Sequence, residues 1–264
     1  MSADSKTALT AEQRQTATVP VSVEDIRNYL TDERRDLVFL QRQAEAAERY
    51  EDMALFARRL VTVTNGQLSC EERNLFAIAH KHLIVAKRSA VRTLVYSTTN
   101  LKLNAVYKHL IEADIKDFCK GLIAFVNTTI LGVTPAENAE SRVFFLKFIG
   151  DHYRYLSELE IARDADYIRL ARGCYQDALV IAEASLAVTD PTRLCLVLNY
   201  SVLLYDQCRE VKLACDMAKA AFDRAINRLD ELDEEDYRDT TLVMQLMRDN
   251  LALWITLQQG GAQH

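Results

Sequence analysis

Glycine and proline are scarce in this chain, with 7 Gly and 3 Pro among 264 residues. Average usage at this length gives roughly 18 Gly and about 13 Pro. Sandwiches, barrels and propellers need a turn about every ten residues and build turns from these two residues, so the shortage argues against them. Gly-rich phosphate loops are excluded, because only Gly260 and Gly261 stand close together. No apolar run approaches the ~18 residues of a membrane span. The N-terminal residues lack the basic-then-apolar order of a secretory signal. None of the six cysteines forms C-x-x-C, and the expectation is buried free thiols in a reducing compartment. H-E-x-x-H, G-x-S-x-G, Walker A and dinucleotide fingerprints are also missing. His80 and His82 are two apart on one helix, so they face different sides and read as ordinary core or surface histidines. With no ligand spacing and no triad, the sequence offers no catalytic residue, no metal site and no cofactor. A net charge of −6 disfavours nucleic acid as a partner.

What is present is apolar and helical. Hydrophobic residues make up 49% of the chain, enough for one domain with a sizeable core. Residues 1–21 are polar and without period, and read as a disordered arm. Residues 22–258 read as a single helical domain and 259–264 as a flexible tail. A short helix is expected over 22–30. Thr31-Asp32 is an N-cap signal for a helix to about Glu48, with a narrow apolar stripe at Leu37, Leu40, Ala44 and Ala47 suited to close helix packing. A second long helix covers about 51–63, stopped by Asn65-Gly66. Ser69 and Glu72 form a capping box for a helix to about Ser97, followed by one over 101–129. Thr134-Pro135-Ala136-Glu137 reads as a start signal for a helix to about Ala162. Helices over about 165–187, 191–208, 210–229 and 234–258 complete nine long helices, with Asp190-Pro191 capping the third from last.

Two patterns point to a binding site. Lys81 and Arg88 are seven residues apart, nearly two turns, and share a helix face, with Arg92 one turn further. A later helix carries Lys147, Asp151, Arg154 and Tyr155, with Lys147 placed to pair with Asp151. If the two helices pack together, guanidiniums, an ammonium and a phenol converge, a set suited to a dianionic phosphate. Near the C-terminus, Leu242, Leu246, Asn250 and Trp254 recur every four residues, and Leu198 and Val202 are one turn apart beside Asn199. One reading is core with satisfied amides. The other is an amphipathic groove whose Asn side chains hold an extended peptide, framed by Arg193, Tyr205 and Asp206.

These residues carry a resemblance. 73-RNLFAIAHKHL-83 and 237-YRDTTLVMQLMRDNLALWIT-256 resemble the two signatures of the 14-3-3 family, and 48-ERYEDM-53, 150-GDHYRYLSE-158 and 191-PTRLCLVLNYSV-202 match in order. The resemblance spans roughly 33–257. It implies an all-α fold of nine antiparallel helices forming a cup with a concave amphipathic groove. It implies an adaptor, not an enzyme, that binds phosphoserine or phosphothreonine segments of client proteins in the cytoplasm, with the nucleus also open to it. The alternative is a helical scaffold for unmodified peptides. By the resemblance, Lys81, Arg88, Arg154 and Tyr155 hold the phosphate. Lys147, Leu198, Asn199, Val202, Asp206, Leu242, Val243, Leu246, Asn250 and Trp254 hold the peptide, with Asp206 in place of the usual Glu.

The resemblance also implies pairing through the N-terminal helices, with itself or with a sibling isoform, at positions Ala44, Ala47, Arg49, Asp52, Tyr107 and Asp114. Several departures bear on that. Residues 1–32 have no counterpart in the family. The connection between Arg92 and Tyr107 is shorter than usual. Leu110 replaces a lysine, so Asp52 is expected to lose its partner while Arg49 and Asp114 remain as a pair. The dimer geometry is accordingly expected to be altered. Ala90 stands where many members carry a phosphorylatable serine, and the tail after Trp254 is nearly uncharged.

Overall fold

The helix starts follow local chemistry. In the computed structural model, described over residue 26 and over 29–96, 99–159 and 166–261, Ser69 and Glu72 close a full capping box: the Ser69 side chain accepts from the Glu72 amide, and the Glu72 carboxylate accepts from the Ser69 amide. Asp32 caps the first long helix by accepting from the Arg35 amide. Asp190 accepts from the amides of Thr192 and Arg193 at 2.8 and 3.1 Å, with Pro191 in the first turn. The expected arm over 1–21 and most of the short helix over 22–30 lie outside the described residues.

Nine α-helices result among the described residues: α1 Glu33–Ala46, α2 Tyr50–Val63, α3 Cys70–Val95, α4 Leu101–Val126, α5 Ala139–Ser157, α6 Tyr167–Ser185, α7 Pro191–Asp206, α8 Val211–Ile226 and α9 Glu234–Gly261. Among the described residues there is no strand. The helices are antiparallel neighbours. Each packs on the next, α5 also touches α3 and α7, and α9 returns to α7, so the array forms a cup around α5. The core falls into two clusters. One lies under α1 to α5 and contains Phe76, Phe145, Phe148, Ile149 and Leu156. The other lies under α5 to α9 and contains Val143, Tyr175, Leu203, Met247 and Trp254. Helix α5 feeds both, and Tyr153 packs against both.

Three boundaries differ from the sequence reading: α9 runs to Gly261, past the expected end at 258 and into the expected tail, and both ends of α5 move. The α5 helix starts at Ala139, not at Pro135. Asn138 caps it by accepting from the Ser141 amide at 3.1 Å, while the Thr134 hydroxyl turns back and donates to the Ile130 carbonyl at 2.7 Å. A π-helical stretch over Asn127–Leu131 extends α4, and the Thr134 hydroxyl joins the Val133 and Thr134 amides on its Ile130 carbonyl. That α5 helix also ends at Ser157, short of Ala162, and 160–165 are not among the described residues. The buried-thiol expectation holds fully only for Cys119. Cys70 is exposed in the first turn of α3, the other four are half-buried, and all six are free.

Two glycines set close approaches. At Gly66, with φ of +76°, a Cβ would meet the Thr129 carbonyl oxygen at 2.1 Å. At Gly150 a Cβ would meet the Tyr175 ring at 2.7 Å, so α5 and α6 approach closely only because no side chain stands there.

His80 on α3 and His152 on α5 are both buried, each with Nδ1 bonded to the carbonyl four residues earlier, Phe76 at 2.7 Å and Phe148 at 2.8 Å. Neither Nε2 has a partner. Burial pushes the His80 pKa down to about 3 and that of His152 down to about 4. Unfolding restores a value near 6.5, so the unfolded chain takes up protons first as pH falls. Stability is therefore full above pH ~7 and declines below ~6.5, by about 2 kcal/mol per histidine at pH ~5. Urea unfolding at stepped pH should show this decline, and His80→Phe should remove part of it. A midpoint that does not move between pH ~7 and ~5 would contradict the assignment.

Candidate functional site

Helices α3 and α5 do pack together, and that contact assembles the cationic cluster. The Arg88 guanidinium from α3 lies 4.3 Å from the centre of the Tyr155 ring, and that of Arg154 from α5 lies 4.8 Å from it. One aromatic ring thus bears two cations, a favourable use of its electron-rich face. Arg154 is largely buried, and its Nε has no partner. Burial raises the Tyr155 hydroxyl pKa, with the nearby Asp151 charge acting in the same direction and the cations opposing, so the phenol stays protonated as a donor. Lys81 is exposed one face-repeat before Arg88 and pairs with no carboxylate among the described residues.

The centre of the arrangement is Asp151. Its carboxylate is buried and accepts from Lys147 Nζ at 3.0 Å, from the Tyr175 hydroxyl at 2.5 Å and from Asn199 Nδ2 at 2.8 Å. Arg154 stands 4.0 Å away. Burial works to raise the Asp151 pKa, but Lys147, Arg154 and the Tyr175 hydrogen bond outweigh it and hold the carboxyl below its ordinary value. The same pairing holds the half-buried Lys147 ammonium above its ordinary value against desolvation. Helices α5, α6 and α7 are thus tied at one carboxylate. The Lys147–Asp151 pair expected from spacing is present. Tyr175 and the Asp151–Asn199 bond were not expected, because they cross from α6 and α7 and leave no signal in local spacing.

Glu158, at the C-cap of α5, was not assigned a role from sequence either. Its carboxylate accepts from Arg88 Nε at 3.0 Å and from Arg88 Nη2 at 2.6 and 2.8 Å, and Arg154 stands 3.6 Å away. Its spacing of four residues from Arg154 is a signal that could have found it.

The groove residues divide by depth. Leu242 and Leu246 are 66% and 49% exposed, an apolar stripe left open on α9, and Asp206 is exposed at the end of α7. Val202 and Asn250 are half-buried, and Asn250 Nδ2 donates to the Leu246 carbonyl at 3.1 Å. Leu198, Val243 and Trp254 lie in the second core cluster, and Trp254 stacks on Tyr205 at 4.7 Å. All three side chains are buried. Arg193, expected to frame the groove, instead donates to the Leu186 carbonyl at 2.8 Å and finishes the C-terminus of α6.

The positions expected at a dimer face are occupied within the chain. Arg49 pairs with Asp52, and Asp114 pairs with Lys87. Both are pairs within one chain, and each joins a charge to its nearest opposite. Ala44 is buried, and Ala47 and Tyr107 are exposed. Leu103, Val106, Tyr107 and Leu110 form an exposed apolar stripe on α4 at spacings of three and four. Among the described residues no group of three or more His, Cys, Asp or Glu is arranged to hold a metal, and no helix is long and apolar enough to cross a membrane.

Comparison with known proteins matches residues 40–255 to the family described as 14-3-3 protein. The chain is 41% identical over 236 residues to 14-3-3 protein beta/alpha-1 of Oncorhynchus mykiss, covering 86% of this chain and 96% of that protein. It is 39% identical over 236 residues to 14-3-3 protein theta of Mus musculus, covering 86% and 95%. It is 40% identical over 238 residues to 14-3-3 protein zeta of Xenopus laevis, again covering 86% and 95%.

Because Gly150 lets the Tyr175 hydroxyl reach Asp151, Gly150→Ala should push α6 from α5 and loosen the site. We expect a loss of about 1–3 kcal/mol in urea unfolding. A variant as stable as the parent would show that the ring can move aside.

Proposed function

Because the chain belongs to the 14-3-3 family, we propose that it is an adaptor that binds phosphoserine or phosphothreonine segments of client proteins. The observation that carries this reading is the packing of Arg88 and Arg154 against Tyr155, with Lys81 unpaired nearby. A phosphate carries nearly two negative charges and three acceptor oxygens. The two guanidiniums offer planar pairs of donors, Lys81 adds a mobile charge, and the Tyr155 hydroxyl donates one bond. The stacked ring limits the motion of both arginines before the ligand arrives, which lowers the entropic cost of binding.

The peptide lies along α7 and α9 in this reading. The amides of Asn199 and Asn250 hold its backbone, and Leu242 and Leu246 face its side chains. Lys147, Val202 and Asp206 line the path. In the free protein both Asn amides are engaged, Asn199 with Asp151 and Asn250 with a carbonyl of its own helix. Each has remaining donor and acceptor capacity for a peptide backbone. Backbone contacts tolerate varied side chains, so one groove serves many clients. Nothing in this scheme makes or breaks a covalent bond, and the reading is of an adaptor without catalysis, acting in the cytoplasm.

The reading also includes a dimer. The exposed stripe of Leu103, Val106, Tyr107 and Leu110 on α4, with the exposed Phe39 and Ala47 at α1, supports it. Apolar contact replaces the charge pair that Leu110 removes, so the pairing should depend little on salt.

Two measurements test the proposal. Fluorescence anisotropy with a phosphoserine peptide and its serine twin should show strong preference for the former, and Arg88→Ala with Arg154→Ala should weaken binding by at least ~30-fold. Equal binding of the twins would favour the scaffold for unmodified peptides. Sedimentation velocity at micromolar concentration should show a species twice the 30.0 kDa chain, reduced to the single chain by Tyr107→Glu with Leu110→Glu. A parent chain that sediments as 30.0 kDa alone would refute the dimer.

A further inference from the structure

Glu158 sits where a helix disfavours a carboxylate. It caps the C-terminus of α5, the negative end of the helix dipole, so the helix itself gains nothing from its charge. The partners that repay that position are Arg88, which it grips through both Nε and Nη2, and Arg154. Arg88 has no other ion-pair partner among the described residues. In the free protein the Arg88 guanidinium is therefore already answered by Glu158, and that of Arg154 lies between Glu158 and Asp151.

We propose that Glu158 is a specificity-determining residue that sets the charge a ligand must bring, admitting a phosphate dianion while turning away the single charge of an aspartate or glutamate side chain. The inference rests on the phosphopeptide reading and deepens it. An incoming carboxylate offers Arg88 only what Glu158 already offers, and must also meet the cost of association. A phosphate brings nearly twice the charge and a third oxygen. It can engage Lys81, Arg88, Arg154 and the Tyr155 hydroxyl together, whether Glu158 shares its arginines or swings away. Three cations against one carboxylate leave a net charge of about +2 to receive it, matched to a dianion. Selectivity then arises from an internal competitor as well as from attraction. Acidic segments are common on protein surfaces, and a pocket of bare cations would accept them indiscriminately.

The test uses the full chain, with a phosphoserine peptide, its serine twin and a twin carrying glutamate at the same position. Anisotropy titrations are run on the parent, Glu158→Gln and Glu158→Asp, with circular dichroism confirming the fold of each. Glu158→Gln should tighten binding of the glutamate peptide on the order of tenfold relative to the phosphoserine peptide. Glu158→Asp keeps the charge and should keep the parent's ratio. An unchanged ratio in Glu158→Gln, or proportional weakening of both peptides, would show a mere brace for Arg88 and overturn the proposal, as would an Asp variant that shifts the ratio as far as Gln does. If the parent itself fails to prefer phosphoserine over serine, the phosphopeptide reading falls. If that preference stands and only the ratio fails to move, the role of Glu158 alone falls.

Discussion

The buried carboxylate of Asp151 is the constraint on which the concave face depends. A charge that far from water is tolerable only when it is paired and its oxygens are fully bonded. Here the donors come from three helices: Lys147 one turn earlier on α5, Tyr175 on α6 and Asn199 on α7. Removing any one leaves the carboxylate under-bonded, so the three helices are held in register by electrostatic need as well as by packing. The close approach at Gly150 is part of the same device, since it brings the Tyr175 hydroxyl within reach. Lys147, Tyr175 and Asn199 are then held by elements tied to one carboxylate.

Around that hub the site is built in layers. Phe76, Phe148, His80 and His152 fill the space behind α3 and α5 with rings. Tyr155 lies at the outer edge of this aromatic packing, against His152, and carries the two arginines on its own ring. The cations are presented on a stiff base, partly shielded from water, where their interaction with an anion is stronger than on an open surface. The chain is negative overall, but the field at Tyr155 is set by the nearest groups, two guanidiniums among them.

Much of the site could be read in advance because it obeys helix periodicity. Lys81 and Arg88 share a face by their spacing, and so do Lys147 with Asp151 and Leu242 with Leu246. Those relations lie within single helices and survive any tertiary arrangement. Glu158 was within reach of the same logic. The relations that cross between helices were not. Tyr175 is one tyrosine among eleven, and nothing local marks it as the donor to Asp151. Arg193 could frame a groove or finish α6, and only the placed carbonyl of Leu186 decides. Thr134 looked like a cap because Thr-Pro-x-Glu is locally a good start. Its hydroxyl instead turns back to the π-helical stretch before it, and Asn138 caps α5.

By itself, then, the sequence determined the helical class, most helix starts and the residue types a phosphate would need. Those follow from local terms: capping bonds, the scarcity of turn-forming residues and the period of an α-helix. Tertiary structure decided which of those residues meet, which apolar positions are wall and which are core, and that Arg88 and Arg154 rest on Glu158. The difference has a physical cause. A capping bond spans three residues of chain, whereas the Arg88–Glu158 pair and the Asp151–Asn199 bond join residues 70 and 48 positions apart, and contacts at that range exist only once the core between them has packed.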